Sequence, residues 1–598
     1  MCGIIGYAGS DSDAIDVLLD GLSGLEYRGY DSAGVALSNQ TLHVHKREGE
    51  LSALESALPK SEYENESVGI GHTRWSTHGP PSDVNAHPHT DDQNRVAVVH
   101  NGIIENYQSL RDELTAAGIE FESDTDTEVV PHLISTYLAD GIDRETAFRR
   151  AIDRIEGSYA VAAVFEGTNT IYAARRNSPL VLGIGNDGYY LASDVPAFIE
   201  YTDRVIYLDD GEFARLSPSE VVVTDADGTV VETSIETISW DPEDAGKSGY
   251  DHYMLKEINE QPDALRKCLR GRLDELEGTV DLESVPPIQA SGAIQFVACG
   301  TSYHAAMYGA RLLRDRGVSA QAFLASEYDE ETIPVGGESV VVGVTQSGET
   351  ADTMRALRAA NRAGAKTIAV TNVVGSSAAR ECDHVLYIRA GPEIGVAATK
   401  TFASQQAALT MLACQLTENI SRETIQALRD VPDLIQTVLD TSNARAVAET
   451  YEDADAYFFI GRGYQYPVAL EGALKMKEIT YKHAEGFAAG ELKHGPLALV
   501  TENTPVFALV TGDDERANKT IGNVKEVEAR DAPVVAVTDG RSEVERYADH
   551  VLEVPGAGGI ASPIVANVQL QLVSYWVANR LGRSIDKPRN LAKSVTVE

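Results

Sequence analysis

Cysteine is scarce in this chain. Five thiols, Cys2, Cys268, Cys299, Cys382 and Cys414, are spread over 598 residues with no Cys-x-x-Cys spacing. An odd number without pairing excludes a disulfide framework and a thiolate metal cluster, and it fits a reducing cytosol. Positive charge is also short. Lys and Arg number 50 against 91 Asp and Glu, a formal net charge of −41. Such a surface repels nucleic acid and anionic membrane, so neither is expected as a partner, and it is expected to need salt for full stability, as in a salt-rich cytoplasm. An anionic substrate would have to be held by local donors, backbone amides and hydroxyls at helix starts. There is no basic-then-apolar leader and no membrane-spanning apolar run, so a cytoplasmic location is expected. What remains is globular: 43% hydrophobic and 24% charged residues, in a chain long enough for three or four domains.

The first seven residues, Met1-Cys2-Gly3-Ile4-Ile5-Gly6-Tyr7, place a thiol next to the amino terminus. If Met1 is removed, Cys2 carries both a nucleophile and an α-amine, whose pKa of about 7.7 to 8.0 makes it a usable base. Up to about residue 240, short apolar runs alternate with helical patterns at 13–25, 106–117, 126–139 and 144–155, which predicts two sheets covered by helices. Gly183-Ile184-Gly185-Asn186-Asp187-Gly188 fits a dinucleotide fingerprint, but the strand-like Tyr189-Tyr190-Leu191 follows where a helix is required, so it reads as a hairpin turn. Gly246-Lys247-Ser248 lacks the preceding strand and the first glycine of a phosphate loop. His72, His78, His87 and His89, with His100 nearby, lack ligand spacing and a suitable acidic partner, so no metal is expected.

Chemistry on an amide calls for a carboxylate-binding arginine, an oxyanion hole and an acid for the amine. Arg74, the His100-Asn101-Gly102 exit and Asp124-Thr125-Asp126 supply one of each. With Met-Cys-Gly-Ile-Ile-Gly, these motifs resemble the class II, N-terminal-nucleophile glutamine amidotransferases over the whole first domain. The resemblance implies a Cys2 thiolate attacking the glutamine side chain, Asn101 and the Gly102 N–H holding the oxyanion, Arg74 gripping the α-carboxylate and Asp126 the α-ammonium. On the residues alone, Asp126 also reads as a helix N-cap and Asn101 as a turn residue.

Residues 237–250 lose periodicity and read as a linker, and 253–276 as helical; the chain then repeats itself. Phe296–Gly300 answers Phe458–Gly461, Val344-Thr345 answers Val510-Thr511, Ala369–Asn372 answers Ala536–Asp539, and Asp383–Val385 answers Asp549–Val551, at offsets of 161 to 167 residues. Non-alternating apolar strands, each followed by a helix, predict parallel sheets covered on both faces, with ligands beyond the strand C-termini. There the first copy has Thr301, Ser302 and Thr345-Gln346-Ser347-Gly348-Glu349-Thr350, hydroxyls at helix starts that suit a phosphate; the second has Thr511-Gly512-Asp513-Asp514-Glu515, which would repel one, so one phosphate site is expected. With Glu393–Lys400, these loops resemble the sugar isomerase (SIS) domains.

In Pro467–Lys482 apolar residues run round the helical wheel except for the stripe Glu471, Lys475, Glu478 and Lys482, so this helix should be buried, with the stripe either a salt-bridge row or chemistry. With Gly490–Pro496 and the tail Arg589–Val595, the order of motifs resembles the isomerising glutamine:fructose-6-phosphate aminotransferase family along nearly the entire chain. It implies an α/β multidomain protein: a layered α/β/β/α glutaminase domain (1–240), a linker and helical segment (241–285), two doubly wound parallel-sheet SIS domains (286–440 and 441–580) and a catalytic tail (581–598). Its substrates would be L-glutamine and fructose 6-phosphate, with no cofactor and a homodimer through the SIS half. The resemblance further implies ring opening by His494, an imine at Lys593, a proton moved between C1 and C2 by Glu478 with Lys475 and Glu471 in support, and phosphate held by Thr301, Ser302, Thr345, Gln346, Ser347 and Thr350. Val396 would line the sugar site and Trp75 would gate an ammonia path. Thr345 stands where the family commonly has serine, which keeps the hydroxyl. The tail should dock through its apolar positions. Alternatives are another class II amidotransferase, or a phosphosugar-sensing SIS protein without turnover.

Overall fold

The computed structural model describes residues 2–9, 14–63, 66–238, 246–274, 278–286, 288, 292–417, 421–557 and 559–596. Met1, the core of the expected linker at 239–245, and Val597 lie outside the described residues. The chain divides into two compact units, Met1–Ala245 with Ala592–Glu598, and Gly246–Leu591.

The first unit is built on two antiparallel sheets. The strand Gly3–Gly9 is central in an eight-stranded one, paired with Val68–Arg74 on one side and Gly188–Ala192 on the other, and it is buried throughout. Its alternation sends Ile4 and Ala8 into a core shared with a six-stranded sheet, where they join Val99, Ala160, Ala162 and Ala173. On the opposite face Ile5 meets the helix Ala14–Leu25, so closely that a Cβ on Gly21 would come within 2.7 Å of the Ile5 side chain. The helices Tyr107–Ala116, Val129–Ala139 and Arg144–Ile152 cover the outer face of the second sheet through Leu110, Leu133 and Phe148. The layers are therefore α/β/β/α. The glycine-rich 183–188 stretch closes a hairpin between Val181–Ile184 and Gly188–Ala192.

The second unit contains two five-stranded parallel sheets. In one, Ile294–Ala298 is flanked by Ala320–Leu324 and Val340–Val344, followed by Lys366–Thr371 and His384–Tyr387; in the other, Ala456–Gly461 is flanked by His483–Ala488 and Val506–Val510, followed by Val534–Thr538 and His550–Glu553. The duplication reaches individual bonds. Asp383 accepts the Thr367 N–H and Asp549 the Val534 N–H, each at 2.8 Å, so both acids pin the start of the fourth strand. The helices Lys400–Thr417 and Ser562–Arg580 are buried along nearly their whole length and contribute Leu409, Leu412, Leu570 and Tyr575 to one continuous core. The single helical segment expected at 253–276 is two helices, Tyr253–Asn259 and Gln261–Leu269, since Pro262 favours the first turn of a new helix over the interior of an old one.

The tail departs from its expected boundary. Residues up to Leu591 belong to the second unit and Ala592–Glu598 to the first. Its docking residues are Ser594 and Thr596, which are buried, whereas Val595 is 54% exposed. Leu591 and Ala592 are half-buried and Val597 lies outside the described residues, so among the apolar positions expected to dock the tail it is Val595 that stays exposed, while two hydroxyl residues are buried.

Candidate functional site

In the first unit Cys2 sits just before the central strand, where its thiol meets the Trp75 backbone: the Trp75 N–H donates to Sγ at 3.4 Å and the Trp75 carbonyl lies 3.5 Å from it. Burial pushes the thiol pKa up, and the Trp75 N–H and the Arg74 guanidinium work against that shift. The Cys2 carbonyl accepts from Asn101 Nδ2 at 2.9 Å and from Arg28 Nε at 3.3 Å. Arg28 is itself anchored to Asp194 at 2.7 Å. Cys2, Arg28, Trp75, Asn101 and Gly102 line a small cavity of about 40 Å³ together with the tail residues Ala592, Ser594, Val595 and Thr596.

The orientation of Asn101 is determined by a histidine. His72 Nε2 lies 3.1 Å from Asn101 Oδ1 and 3.0 Å from the His100 carbonyl, two acceptors, so it carries the proton and fixes the Asn101 amide with its NH₂ towards Cys2. Burial drives the His72 pKa down to about 3, so the ring is neutral at any working pH, and it stacks on His87 with centroids 4.2 Å apart. His87, His89 and His100 are likewise buried and lowered, and bond to Thr127, Thr125 and Thr127 respectively. The histidine cluster is thus a neutral scaffold bonded to hydroxyls. Gly102 adopts φ 125°, and a Cβ there would lie 1.9 Å from the Ser158 carbonyl, so only glycine fits.

Arg74 is 3% exposed; Nη2 donates to the carbonyls of His78 and Gly79, while the buried Nη1 has no acceptor, and burial lowers its pKa. Asp126 is not the helix cap that its sequence position allows. Its Oδ2 accepts the Ile104 N–H at 2.8 Å, and the following helix begins at Val129.

In the second unit the stripe on the helix Gln465–Thr480 holds an ion cluster. Lys475 Nζ lies 2.6 Å from Glu478 and 3.4 Å from Glu471, and donates to Thr301 Oγ1 at 3.2 Å. Thr301 donates to Glu471 at 3.0 Å, and His304 Nδ1 meets the other Glu471 oxygen at 2.7 Å. Glu471 and Lys475 are 0% and 1% exposed. Burial pushes the Glu471 carboxyl up, but Lys475, His304 and Thr301 outweigh it and hold the pKa below the usual value; burial likewise opposes the Lys475 charge, and the two carboxylates raise its pKa nonetheless. Lys482 leaves the stripe because Tyr481, at φ 62°, ends the helix, and its Nζ donates to the Ala454 carbonyl.

Of the hydroxyl loop, Thr345 Oγ1 accepts the Gly348 N–H at 3.2 Å and lies 3.0 Å from Thr350 Oγ1, while Ser347 accepts the Glu349 N–H; the Gln346 carbonyl accepts from Asn372. Ser302 accepts from Gln405 at 2.9 Å, and the Val396 N–H donates to the Asp586 carbonyl. His494 is exposed at the end of the turn Ala489–Lys493, with its N–H bonded to the Glu491 carbonyl. Lys593 is half-buried between Ala592 and Ser594.

A model described as a glutamine amidotransferase domain matches residues 72–200, and one described as a SIS domain matches 288–415 and 450–579. A glutamine–fructose-6-phosphate aminotransferase (isomerizing) of Halobacterium salinarum is 51% identical, and one of Symbiobacterium thermophilum 48%, each over the full length of both chains. This chain belongs to the isomerizing glutamine–fructose-6-phosphate aminotransferase family. The solved C-terminal domain of a glucosamine-fructose-6-phosphate aminotransferase from Francisella tularensis covers 57% of the chain and 100% of its own length, with 36% identity and a TM-score of 0.53.

Three site groups escaped the sequence reading: Arg28, His72 and His304. Arg28 had a signal in Tyr27-Arg28-Gly29-Tyr30-Asp31, a charge-bearing loop between a helix and a buried strand. His304 sits one turn beyond the Gly300–Ser302 helix start and so shares its face. His72 had none, since nothing in the sequence separates it from its neighbouring histidines. Among the described residues no helix is long and apolar enough to cross a membrane.

Proposed function

We propose that this chain hydrolyses L-glutamine at Cys2 and passes the ammonia to fructose 6-phosphate, yielding glucosamine 6-phosphate and glutamate. The observation that carries the reading is the coexistence, in one chain, of a half-buried thiol beside an oriented amide and a carboxylate–ammonium–carboxylate row, centred on buried Lys475, beside hydroxyl-bearing helix starts. Family membership over the full length supports it.

In the glutaminase half, the α-amine exposed by loss of Met1 takes the Cys2 thiol proton, and the resulting thiolate adds to the glutamine side-chain carbonyl. The ammonium returns that proton to the departing nitrogen so that ammonia leaves, and water cleaves the remaining thioester to free glutamate and restore the thiol. Asn101, held by His72, and the Gly102 N–H receive the oxyanion. Arg74 grips the α-carboxylate through its unpaired Nη1 and Asp126 the α-ammonium, with Trp75 gating the ammonia path.

In the SIS half, Ser302, Thr345, Gln346, Ser347 and Thr350 hold the phosphate and Val396 lines the sugar. Thr301, bonded to both Glu471 and Lys475, couples that cradle to the acid–base row. His494 assists ring opening, Lys593 forms the imine, and Glu478 moves the proton between C1 and C2, polarised by Lys475 at 2.6 Å with Glu471 behind it. A lysine imine and a carboxylate suffice for this aldose–ketose shift without a cofactor. The working form is a cytoplasmic homodimer joined through the SIS half. Incubation with glutamine and fructose 6-phosphate should give a hexosamine phosphate by mass in equal amount to glutamate; glutamate alone would reduce the protein to a glutaminase with a phosphosugar-sensing module.

A further inference from the structure

The sequence assigns phosphate to the first SIS copy and denies it to the second. The structure refines the denial. In the second copy the amide cradle is already filled: the Gly512 N–H donates to both oxygens of Asp539 at 2.9 and 3.1 Å, and Thr511 Oγ1 is taken up by Gln465 and Ser562. No anion can use those groups. Beside them, a groove of about 560 Å³ is lined by five cations, Arg311, Arg314, Arg462, Arg516 and Lys519, against a single carboxylate, Glu515. In a chain with 91 acids to 50 bases, that local ratio is inverted.

The position is the one where open parallel sheets bind ligands. Ala456–Gly461 and Val506–Val510 are neighbouring strands, and the groove takes Arg462 and Gly463 just past the end of the first and Arg516 and Lys519 from the first turns of the helix after the second. Arg311 and Arg314, from the end of the helix Gly300–Asp315, form the opposite wall. Part of this charge is neutralised, with Arg311 paired to Asp315 at 2.8 Å and Lys519 to Glu515 at 2.6 Å. The rest is not. Arg462 Nη2 donates to Asn523 but its Nε is buried without an acceptor, and among the described residues the Arg516 side chain makes no hydrogen bond or close ion pair, acting on Asp315 only at longer range. A buried guanidinium N–H without a partner is costly unless an anion completes it. Tyr303 and Tyr466 add aromatic surface to the same groove.

We propose that this groove is a second anion site, for a small molecule carrying a phosphate ester or diphosphate, separate from the sugar-phosphate cradle of the first copy. Arg462 and Arg516 receive the phosphoryl oxygens, Arg314 adds long-range attraction, and the tyrosines lie against the organic part. The groove exceeds the needs of a hexose phosphate, so a nucleoside diphosphate fits the same chemistry.

The test is calorimetric titration of the full-length protein, saturated with fructose 6-phosphate, with inorganic pyrophosphate, and separately with adenosine diphosphate. Wild type should bind one pyrophosphate per chain, and Arg516→Glu should weaken it at least tenfold while leaving glutamine-dependent synthesis without added pyrophosphate unchanged. Arg462→Gln should weaken it similarly, and the intact synthesis rate of the Arg516 variant guards against misfolding as the cause. Tighter binding of adenosine diphosphate, lost in Tyr466→Ala, would identify a nucleotide; equal affinities would identify the phosphate groups alone as the ligand, and either supports the site. Binding unaffected by Arg516→Glu, or no pyrophosphate bound once fructose 6-phosphate is saturating, would overturn it. So would a change of oligomeric state in the Arg516 variant, which would make the groove a contact between protein surfaces.

Discussion

The two units solve opposite electrostatic problems. Behind Asn101 the protein removes charge: four buried histidines are held neutral, and the amide is oriented by a neutral hydrogen bond from His72, while the charges beside Cys2 belong to Arg28, paired with Asp194, and Arg74. Around Glu478 it concentrates charge, burying an ammonium between two carboxylates on one helix face. The difference follows the chemistry proposed for each site. A thiol that must reach an uncharged amide needs fixed dipoles, whereas a proton shuttled between neighbouring carbons needs a carboxylate whose charge is balanced on the spot.

The sharpest way to separate the two is Glu478→Gln, which should lower conversion of fructose 6-phosphate by roughly 10³-fold while glutamine hydrolysis keeps its rate; an equal fall in both, measured on one preparation, would mean the sites are not independent. Next in size, Lys475→Met leaves the fully buried Glu471 carboxylate without its main counter-charge. It should cost about 3–5 kcal/mol, seen as a lower denaturant midpoint for the second unit. An unchanged midpoint would show that His304 and Thr301 suffice.

For the first unit, His72→Leu should lower glutaminase kcat by roughly 10²-fold with little change in KM, since one oxyanion donor loses its orientation, and His72→Gln, which can still donate to Asn101 Oδ1, should recover most of it. Loss in both variants would make His72 a packing residue. Acid should produce the smallest and most diagnostic difference. Burial lowers the His72 pKa from 6.5 to about 3, so the unfolded chain protonates first; stability is complete above pH 6.5 and is lost progressively as pH falls towards 3. Between pH 7 and 5 His72 alone accounts for about 2 kcal/mol, and His87, His89 and His100 add to it. Glu471, held below its usual value of 4.5, and Lys475, raised above 10.5, lose their contribution only below and above that window. Acidification to pH 5 should therefore unfold the first unit ahead of the second; the reverse order would contradict the contrast.

Much of this was legible in the sequence where the chain repeats itself or where period and burial agree. The duplicated strands at 294–298 and 456–461 and the all-round apolar helix at 465–480 are cases in which local pattern and final packing coincide. The stripe was legible as far as Glu478 but not at Lys482, because a left-handed residue at Tyr481 carries no signal in a tyrosine. The burial of Ser594 and Thr596 in the tail was not legible for a related reason. Alternation in Ala592–Thr596 defines two faces but not which one finds a partner, and Ser594 and Thr596 found it. Partnership between distant residues, such as Arg28 with the Cys2 carbonyl or His304 with Glu471, depends on register and helix rotation and is set only when the sheets close.

The most direct measurement is made on Cys2→Ala. The variant, assayed in full length, should lose glutamine hydrolysis altogether while still interconverting fructose 6-phosphate and its aldose at close to the wild-type rate. A folded Cys2→Ala protein that hydrolyses glutamine, or one that has lost phosphosugar conversion as well, would contradict the assignment of the two chemistries to two separate sites.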